Sequence, residues 1–379
     1  MEPYAQDLAR WMPRLVAVWR RARKLPEGPP TLMAKELKEV AAGVRTLSLG
    51  LTRERQLAGA RYMDDPRLLG AYLLFYWPVS YAQGRQVLGE LPSPARSVLD
   101  LGSGPGPLAF AALDAGAAEV TAADRSRPAL ALARELAAEA GEALATRDWD
   151  PEKGTGLPTT GVDAVLVGHL LNELFGKGEP ALGRRAALAE QALAALRPGG
   201  SLVLLEPALR DTSRELLKLR DVLVRRGYAV RAPCLFRGDC PALEKPSDWC
   251  HAERAWTMPP LLEQLARAAS LHKEALKMSY LVLAPKGEPW RPPPEGRSFR
   301  IVSEPLEGKG RQRFMGCGPE GRLGLALQER HRTEANSVFF RLQRGDVVRV
   351  TEAEPRGDGL ALNERSSVRV ISPAGRPVP

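Results

Sequence analysis

The chain has 379 residues, 44% hydrophobic and 26% charged, with a formal net charge of +9. That length suits two or three domains of ~150 residues each, and the composition is that of a globular protein with a sizeable core. No uncharged apolar run reaches about 18 residues, which excludes a membrane-spanning helix. The opening "MEPYAQDLARWMPRLVAVWRRARKLPEG" mixes acids and bases from its start and lacks a signal-peptide layout. A cytoplasmic monomer with free thiols is therefore expected. The positive charge points to an anionic partner such as nucleic acid, or simply to a basic surface in an Arg-rich chain.

Residues 1–92 read as helices. "LARWMPRLVAVWRRARK" and "DPRLLGAYLLFYWPVSYAQGRQVLGEL" place apolar residues at helical spacing, and Pro78 should kink or break the second. Residues 93–285 change character. Ser97 to Leu101 is a short apolar strand ending in a glycine loop; Pro107 to Ala115 is a helix stopped by Gly116. Glu119 to Ala123 is a second strand ending in Asp124, and Arg127 to Ala140 an Ala-rich helix. This repeat predicts a parallel α/β sheet. "VDAVLVGHLLNELF" adds a strand, "ALAEQALAALRPGGSLVLLEPAL" a helix, a turn and a strand, and "LHKEALKMSYLVLAP" a late strand pair. The Pro-rich "KGEPWRPPPEG" is a linker. Residues 286–379 then hold "SFRIVSEP", "LGLALQER", "SVFFRLQRGDVVRVTEAE" and "SSVRVISP", a small β-barrel or sandwich of OB-like kind. There Phe299, Phe314, Phe339 and Phe340 stand among Arg and Lys, which suits RNA or else a β core with basic edges.

"VLDLGSGPG" follows a strand and precedes a helix, and Asp124 ends the next strand about 20 residues on, where an acid accepts from ribose hydroxyls. A dinucleotide loop wants a third small residue, which Pro107 replaces, and its helix faces a pyrophosphate. Asp100 beside the loop suits a cationic ligand better. The order D-L-G-S-G-P-G resembles motif I of class I S-adenosylmethionine (SAM) methyltransferases. Asp100, Gly102, Ser103, Gly104, Gly106 and Asp124 are thus the cofactor-binding candidates. By the same resemblance Asp148 and Trp149 would meet the adenine amine and flank its ring; core packing is the plainer role for Trp149. After the fourth strand, "GHLLNELF" lacks the Asn/Asp-Pro-Pro-aromatic motif of amino-group methyltransferases, and no cysteine nucleophile lies nearby. His169, Asn172 and Glu173 are the catalytic candidates, and His169 also counts with the cofactor set. A hydrogen-bonded strand-end residue is the simpler reading of His169. The sequence offers a pocket without a recognisable catalyst.

Cys234, Cys240 and Cys250 stand in C-x5-C-x9-C within loop 232–251, and Cys317 follows in "RFMGCGPEG". Four thiolates complete a site for zinc or an iron–sulfur cluster. Zinc favours tighter knuckles, so these spacings lean toward the larger group. Buried cysteines acting as small hydrophobes are the alternative, although the stretch is polar and rich in Pro and Gly.

"AYLLFYWPVSYAQ", "SVLDLGSGPG", "GHLLNEL", "LRPGGSLVLLEP", "APCLFRGDCP" with "DWCH", and "SYLVLAP" together resemble a small-ribosomal-subunit methyltransferase-like family. It is known from mitochondria as methyltransferase-like protein seventeen, or yeast small-subunit protein twenty-two, with bacterial relatives. The resemblance covers residues 70 to 285 well and the ends loosely. Ala208 departs from it, standing where that family often has Gly. It implies a SAM-methyltransferase fold and a [4Fe–4S] cluster on Cys234, Cys240, Cys250 and Cys317. It also implies a role with the small ribosomal subunit and its rRNA in assembly or translation. The alternative is an active rRNA methyltransferase. A radical SAM enzyme is disfavoured, because its C-x3-C-x2-C spacing is absent.

Overall fold

The computed structural model describes residues 3–154 and 156–378. It begins with helices α1 (Pro3–Ala22) and α2 (Ala34–Ser48). In α1, Leu8, Trp11, Leu15 and Trp19 recur on one face and are buried, the stripe that an amphipathic helix turns to its core. Asp65 caps α3 (Pro66–Ala71), its Oδ1 accepting from the Arg67 N–H at 2.8 Å. A wide π turn, Tyr72–Tyr76, joins α3 to α4 (Trp77–Leu88). Pro78 accounts for that turn: it has no N–H for the carbonyl four residues back and its ring needs room there. The helix widens ahead of the proline instead of breaking. Trp11 packs edge-on to Phe110 at 4.9 Å, and Trp77 stacks on Tyr81 at 5.2 Å. Asp114 accepts from the Trp11 indole and the Tyr81 hydroxyl, both at 2.6 Å. These contacts seat the helices on the sheet.

The sheet contains β1 (Ser97–Leu101), β2 (Glu119–Asp124), β3 (Ala145–Asp148), β4 (Val162–Gly168), β5 (Leu196–Pro207), β6 (Val230–Ala232), β7 (Ala252–Ala255) and β8 (Ala275–Leu283). Its order is β3-β2-β1-β4-β5-β8-β6, with β7 also paired to β8. The first five strands are parallel and β8 runs antiparallel to β5. Helices α5 (Pro107–Asp114), α6 (Arg127–Ala140), α7 (Glu179–Ala194), α8 (Arg210–Arg225) and α9 (Pro260–Ala268) connect them. The expected α/β Rossmann-like sheet is thus present. All five residues of β1 are buried, as in a strand covered on both faces. Strand order reverses between β1 and β4, the switch point where such sheets open a crevice. The late strand pair is corrected: "LHKEALKMSYLVLAP" yields the single strand β8.

A second sheet follows: β9 (Arg297–Ile301), β10 (Leu306–Gly308), β11 (Arg311–Gly318), β12 (Gly321–Gln328), β13 (Val347–Thr351), β14 (Glu354–Arg356), β15 (Gly359–Leu362) and β16 (Ser367–Ser372). The path β14-β15-β12-β11-β9-β13-β16 does not pair its two ends, so the OB-like barrel is not confirmed. "SVFF" lies in a 3-10 helix, Glu334–Arg341, and not in a strand. Phe299, Phe314 and Phe339 fill this sheet's core, and Phe340 lies under the Arg332 guanidinium. Phe299, Phe314 and Phe339 are packing residues, buried with Ile301, Leu325 and Leu327. Glu90 joins the two sheets. Its buried carboxylate meets Arg254 of β7 and Arg300 of β9, each at 3.2 Å, and the Tyr280 hydroxyl of β8. Among the described residues no helix is long and apolar enough to cross a membrane.

Candidate functional site

Where β1 ends, Gly102, Gly104 and Gly106 take φ of +67°, +53° and +82°, the left-handed region that glycine adopts freely. Two acids organise this loop by collecting backbone N–H groups. Asp124 accepts from Gly104 at 2.8 Å and from Ser126 at 2.7 Å. Asp100 accepts from Ala109 in the first turn of α5 at 3.0 Å. Burial raises both carboxyls, Asp100 to about 7, while these N–H groups pull them back down. Ser103 is buried within the turn.

A cavity of about 280 Å³ opens at the C-terminal ends of the strands. Gly102, Asp124, Trp149, His169, Asn172 and Glu173 line it. Asp100, Ser103, Gly104 and Gly106 do not; the loop turns them behind its wall. A Cβ on Gly104 would meet Met63 at 3.0 Å, and one on Gly102 would meet Leu170 at 2.7 Å. Asp148 lies outside the cavity, exposed and paired with Arg127 at 2.8 Å. The Trp149 Nε1–H is buried with no acceptor among the described residues, a donor that a bound ligand would satisfy.

The sequence did not reveal the roof. Residues 55–64 cross the cavity and are latched to the sheet. Arg125 donates to the Gly59 carbonyl at 2.8 Å, Ser126 Oγ donates to Asp64 at 3.1 Å, and the Tyr62 hydroxyl donates to Glu173 at 3.3 Å. Arg55 donates to the Asn172 carbonyl at 2.7 Å. Burial pushes Glu173 up to about 7. Arg125 directly follows Asp124, the one local cue available.

His169 takes φ of +57° at the end of β4. Its Nε2 lies 3.0 Å from Gln83 Oε1, and the Gln83 amide nitrogen donates to the Lys277 carbonyl at 2.9 Å. That amide orientation leaves its oxygen as acceptor, so Nε2 of His169 carries the proton and Nδ1 is the acceptor. Burial, with Lys273 adding to it, lowers this imidazole to about 4 and keeps it neutral.

The cysteine loop is organised in the opposite sense. The Arg214 guanidinium donates to the carbonyls of Ala242 (3.0 Å), Leu243 (3.3 Å), Lys245 (2.9 Å) and Asp248 (2.5 Å). Buried Arg220 donates to the carbonyls of Phe236 and Gly238. Asp221 accepts from the Cys240 N–H at 3.0 Å, and Arg225 pairs with Asp239. All four holding residues belong to α8, and Arg214, Asp221 and Arg225 share one face at i, i+7 and i+11. From β12, Arg322 reaches Asp248 at 2.6 Å.

Cys234, Cys240 and Cys250 lie in or beside this loop, and Cys317 arrives on β11. All four are half-buried and free of disulfides. Burial, reinforced by Cys234, pushes Cys250 up to about 11 and Cys317 up to about 12, and raises Cys240 as well. Among the described residues, however, no group of three or more His, Cys, Asp or Glu side chains is set to hold a metal ion.

No curated protein matches the chain. Among solved structures it is similar to a ribosomal protein L11 methylase from Lactobacillus delbrueckii subsp. bulgaricus: 17% identity, 55% of this chain and 78% of that one, TM-score 0.32. It is also similar to a putative RNA methyltransferase from Pyrococcus horikoshii: 14% identity, 55% and 85%, TM-score 0.36. A third is a glycopeptide N-methyltransferase complexed with sinefungin: 16% identity, 54% and 94%, TM-score 0.34. The family described as mitochondrial small ribosomal subunit Rsm22 matches residues 69–349. That stretch runs from α3 through the glycine loop and all four cysteines to β13, and with well over half of its length matched, the chain belongs to the Rsm22 family.

Proposed function

We propose that this protein binds SAM and an iron–sulfur cluster and docks on rRNA of the small ribosomal subunit during assembly or translation. The observation that carries the reading is the cavity at the switch point, lined by Asp124 and by the unpartnered Trp149 indole, in a chain of a small-subunit family. Asp124 is the acid for the ribose, and Asp100, behind the loop, adds negative potential toward a cationic ligand. SAM, when bound, supplies a methyl group. Cys234, Cys240, Cys250 and Cys317 would hold the cluster. Their mutual electrostatic influence and the guanidinium-rich surroundings fit an anionic four-thiolate group. Bound there, it would tie loop 232–251 to the strand carrying Cys317, joining the segments 93–285 and 286–379 that we propose as separate domains.

Calorimetry with SAM and anaerobic metal analysis test the reading together. One SAM per chain, with about four irons and four sulfides, is expected. No SAM binding overturns the cavity assignment, and one zinc without iron overturns the cluster. A second reading, an active rRNA methyltransferase, draws on the neutral His169, whose Nδ1 remains free to accept a proton beside Asn172 and Glu173. Asn172→Ala should abolish methyl transfer and leave SAM bound; unchanged transfer removes Asn172 from that mechanism.

A further inference from the structure

Beside the donor cavity lies a larger cleft of about 750 Å³. The amino end of α8, the turn after β5, the loop after β4 and residues 52–55 enclose it. Thr52, Arg55, Asn172 and Leu209 line both spaces, so a group held in the cleft abuts whatever fills the cavity. Its volume lies within the ~300–1,000 Å³ of small-molecule sites.

Glu206, near the end of β5, lines this cleft although only 2% exposed. Its Oε1 accepts from the Leu171 N–H at 2.9 Å. Oε2 is buried and accepts no hydrogen bond of good geometry among the described residues, although the Asn172 side chain beside it interacts with the carboxyl and lowers it somewhat. Burial pushes the carboxyl up to about 8. Near pH 7 it is then a neutral acid, able to donate and to accept. At the rim Arg53 and Lys177 are exposed and make no ion pair among the described residues. The first turn of α8 has no side-chain cap among the described residues, so its N–H groups point outward with the positive end of the helix dipole; the exposed Asp211 in that turn is paired with Arg210.

We propose that this cleft receives one nucleotide of single-stranded RNA. Its phosphate meets Arg53, Lys177 and the amino end of α8, and its base edge pairs with the Glu206 carboxyl. Cations at the rim and a neutral hydrogen-bonding acid within match the two ends of a nucleotide. Arg55, Arg185, Arg210, Arg214 and Lys218 also line the cleft, but carbonyls, Asp211 or Glu215 already hold them. The phosphate contact therefore falls to Arg53 and Lys177. The inference rests on the rRNA reading above and gives it a place on the molecule.

The test measures the affinity of the full chain for a short single-stranded RNA by fluorescence anisotropy, with SAM calorimetry on the same samples. Arg53→Glu combined with Lys177→Glu changes exposed positions and should weaken RNA by about tenfold or more, as loss of phosphate contacts does, with SAM affinity unchanged. Glu206→Leu should weaken RNA by about fivefold, and Glu206→Gln by less, because the amide keeps a donor and an acceptor. RNA affinity unmoved by the charge reversal overturns the cleft assignment, even where SAM still binds and the broader reading stands. Binding of an acidic peptide in place of RNA overturns it as well. Loss of SAM binding in the wild type would instead count against the functional reading itself.

Discussion

The glycine loop and the cysteine loop are two solutions to one problem, ordering a stretch of chain with no regular structure, and they use opposite charges. At the first, Asp124 and Asp100 gather backbone N–H groups. At the second, Arg214 and Arg220 gather backbone carbonyls. Burial acts the same way at both: it raises the carboxyls of the first loop, Asp100 to about 7, and the thiols beside the second, Cys250 to about 11.

Removing one ordering group from each loop sharpens the comparison. The largest effect should come from Arg220→Met. It strands two carbonyls and leaves the buried Asp221 charge without its partner, a cost of about 3–5 kcal/mol, read as a lower urea midpoint and faster hydrogen exchange at Cys240. An unchanged midpoint would mean that α8 does not hold the loop. Asp124→Asn should come next. It trades one of two charge-assisted bonds for a weaker contact, about 1.5 kcal/mol, and SAM affinity should fall roughly tenfold; wild-type affinity would remove Asp124 from loop ordering.

Glu173 gives a smaller, pH-dependent effect. Its carboxyl rises from the ordinary 4.5 to about 7 in the folded chain. Between those values the unfolded chain has released a proton that the folded chain keeps, so stability falls as pH rises through that window. Glu173→Gln should flatten this fall, gaining on the wild type between about pH 5 and about pH 8. Parallel curves would exclude Glu173 as the titrating group. The smallest effect is expected from Arg125→Ala, which frees two latches on the roof. Global stability should drop by only about 1 kcal/mol, while proteolysis near residues 55–61 speeds up. Equal cleavage rates would show that the roof is held elsewhere.

The first loop was legible in the sequence because its parts are local: strand, glycines, helix and a following acid fall within 27 residues, Val98 to Asp124. The four cysteines stand out in the sequence, but the scaffold of their loop does not. Arg214, Arg220 and Asp221 read as the ordinary polar positions of a helix, and only the fold brings them to the carbonyls of residues 236–248. The roof was missed for the same reason, since residues 55–64 carry no motif. For Phe299, Phe314 and Phe339 the sequence left two readings open, because aromatic rings among arginines look alike whether they face RNA or a core; their burial places them in the core. The pairing of Asp148 with Arg127 joins a strand end to a helix start and carries no local signal.

Glu90 has a consequence for how the molecule comes apart. Its carboxylate holds two arginines from different sheets, so losing the second sheet would remove Arg300 and leave Arg254 as the remaining cation beside it. Heating should therefore give a single calorimetric peak rather than two, because melting one half breaks a buried ion pair of the other. The same tie limits recombination: a homologous β segment grafted onto this sheet without a basic residue at the place of Arg300 would arrive with the joint already broken.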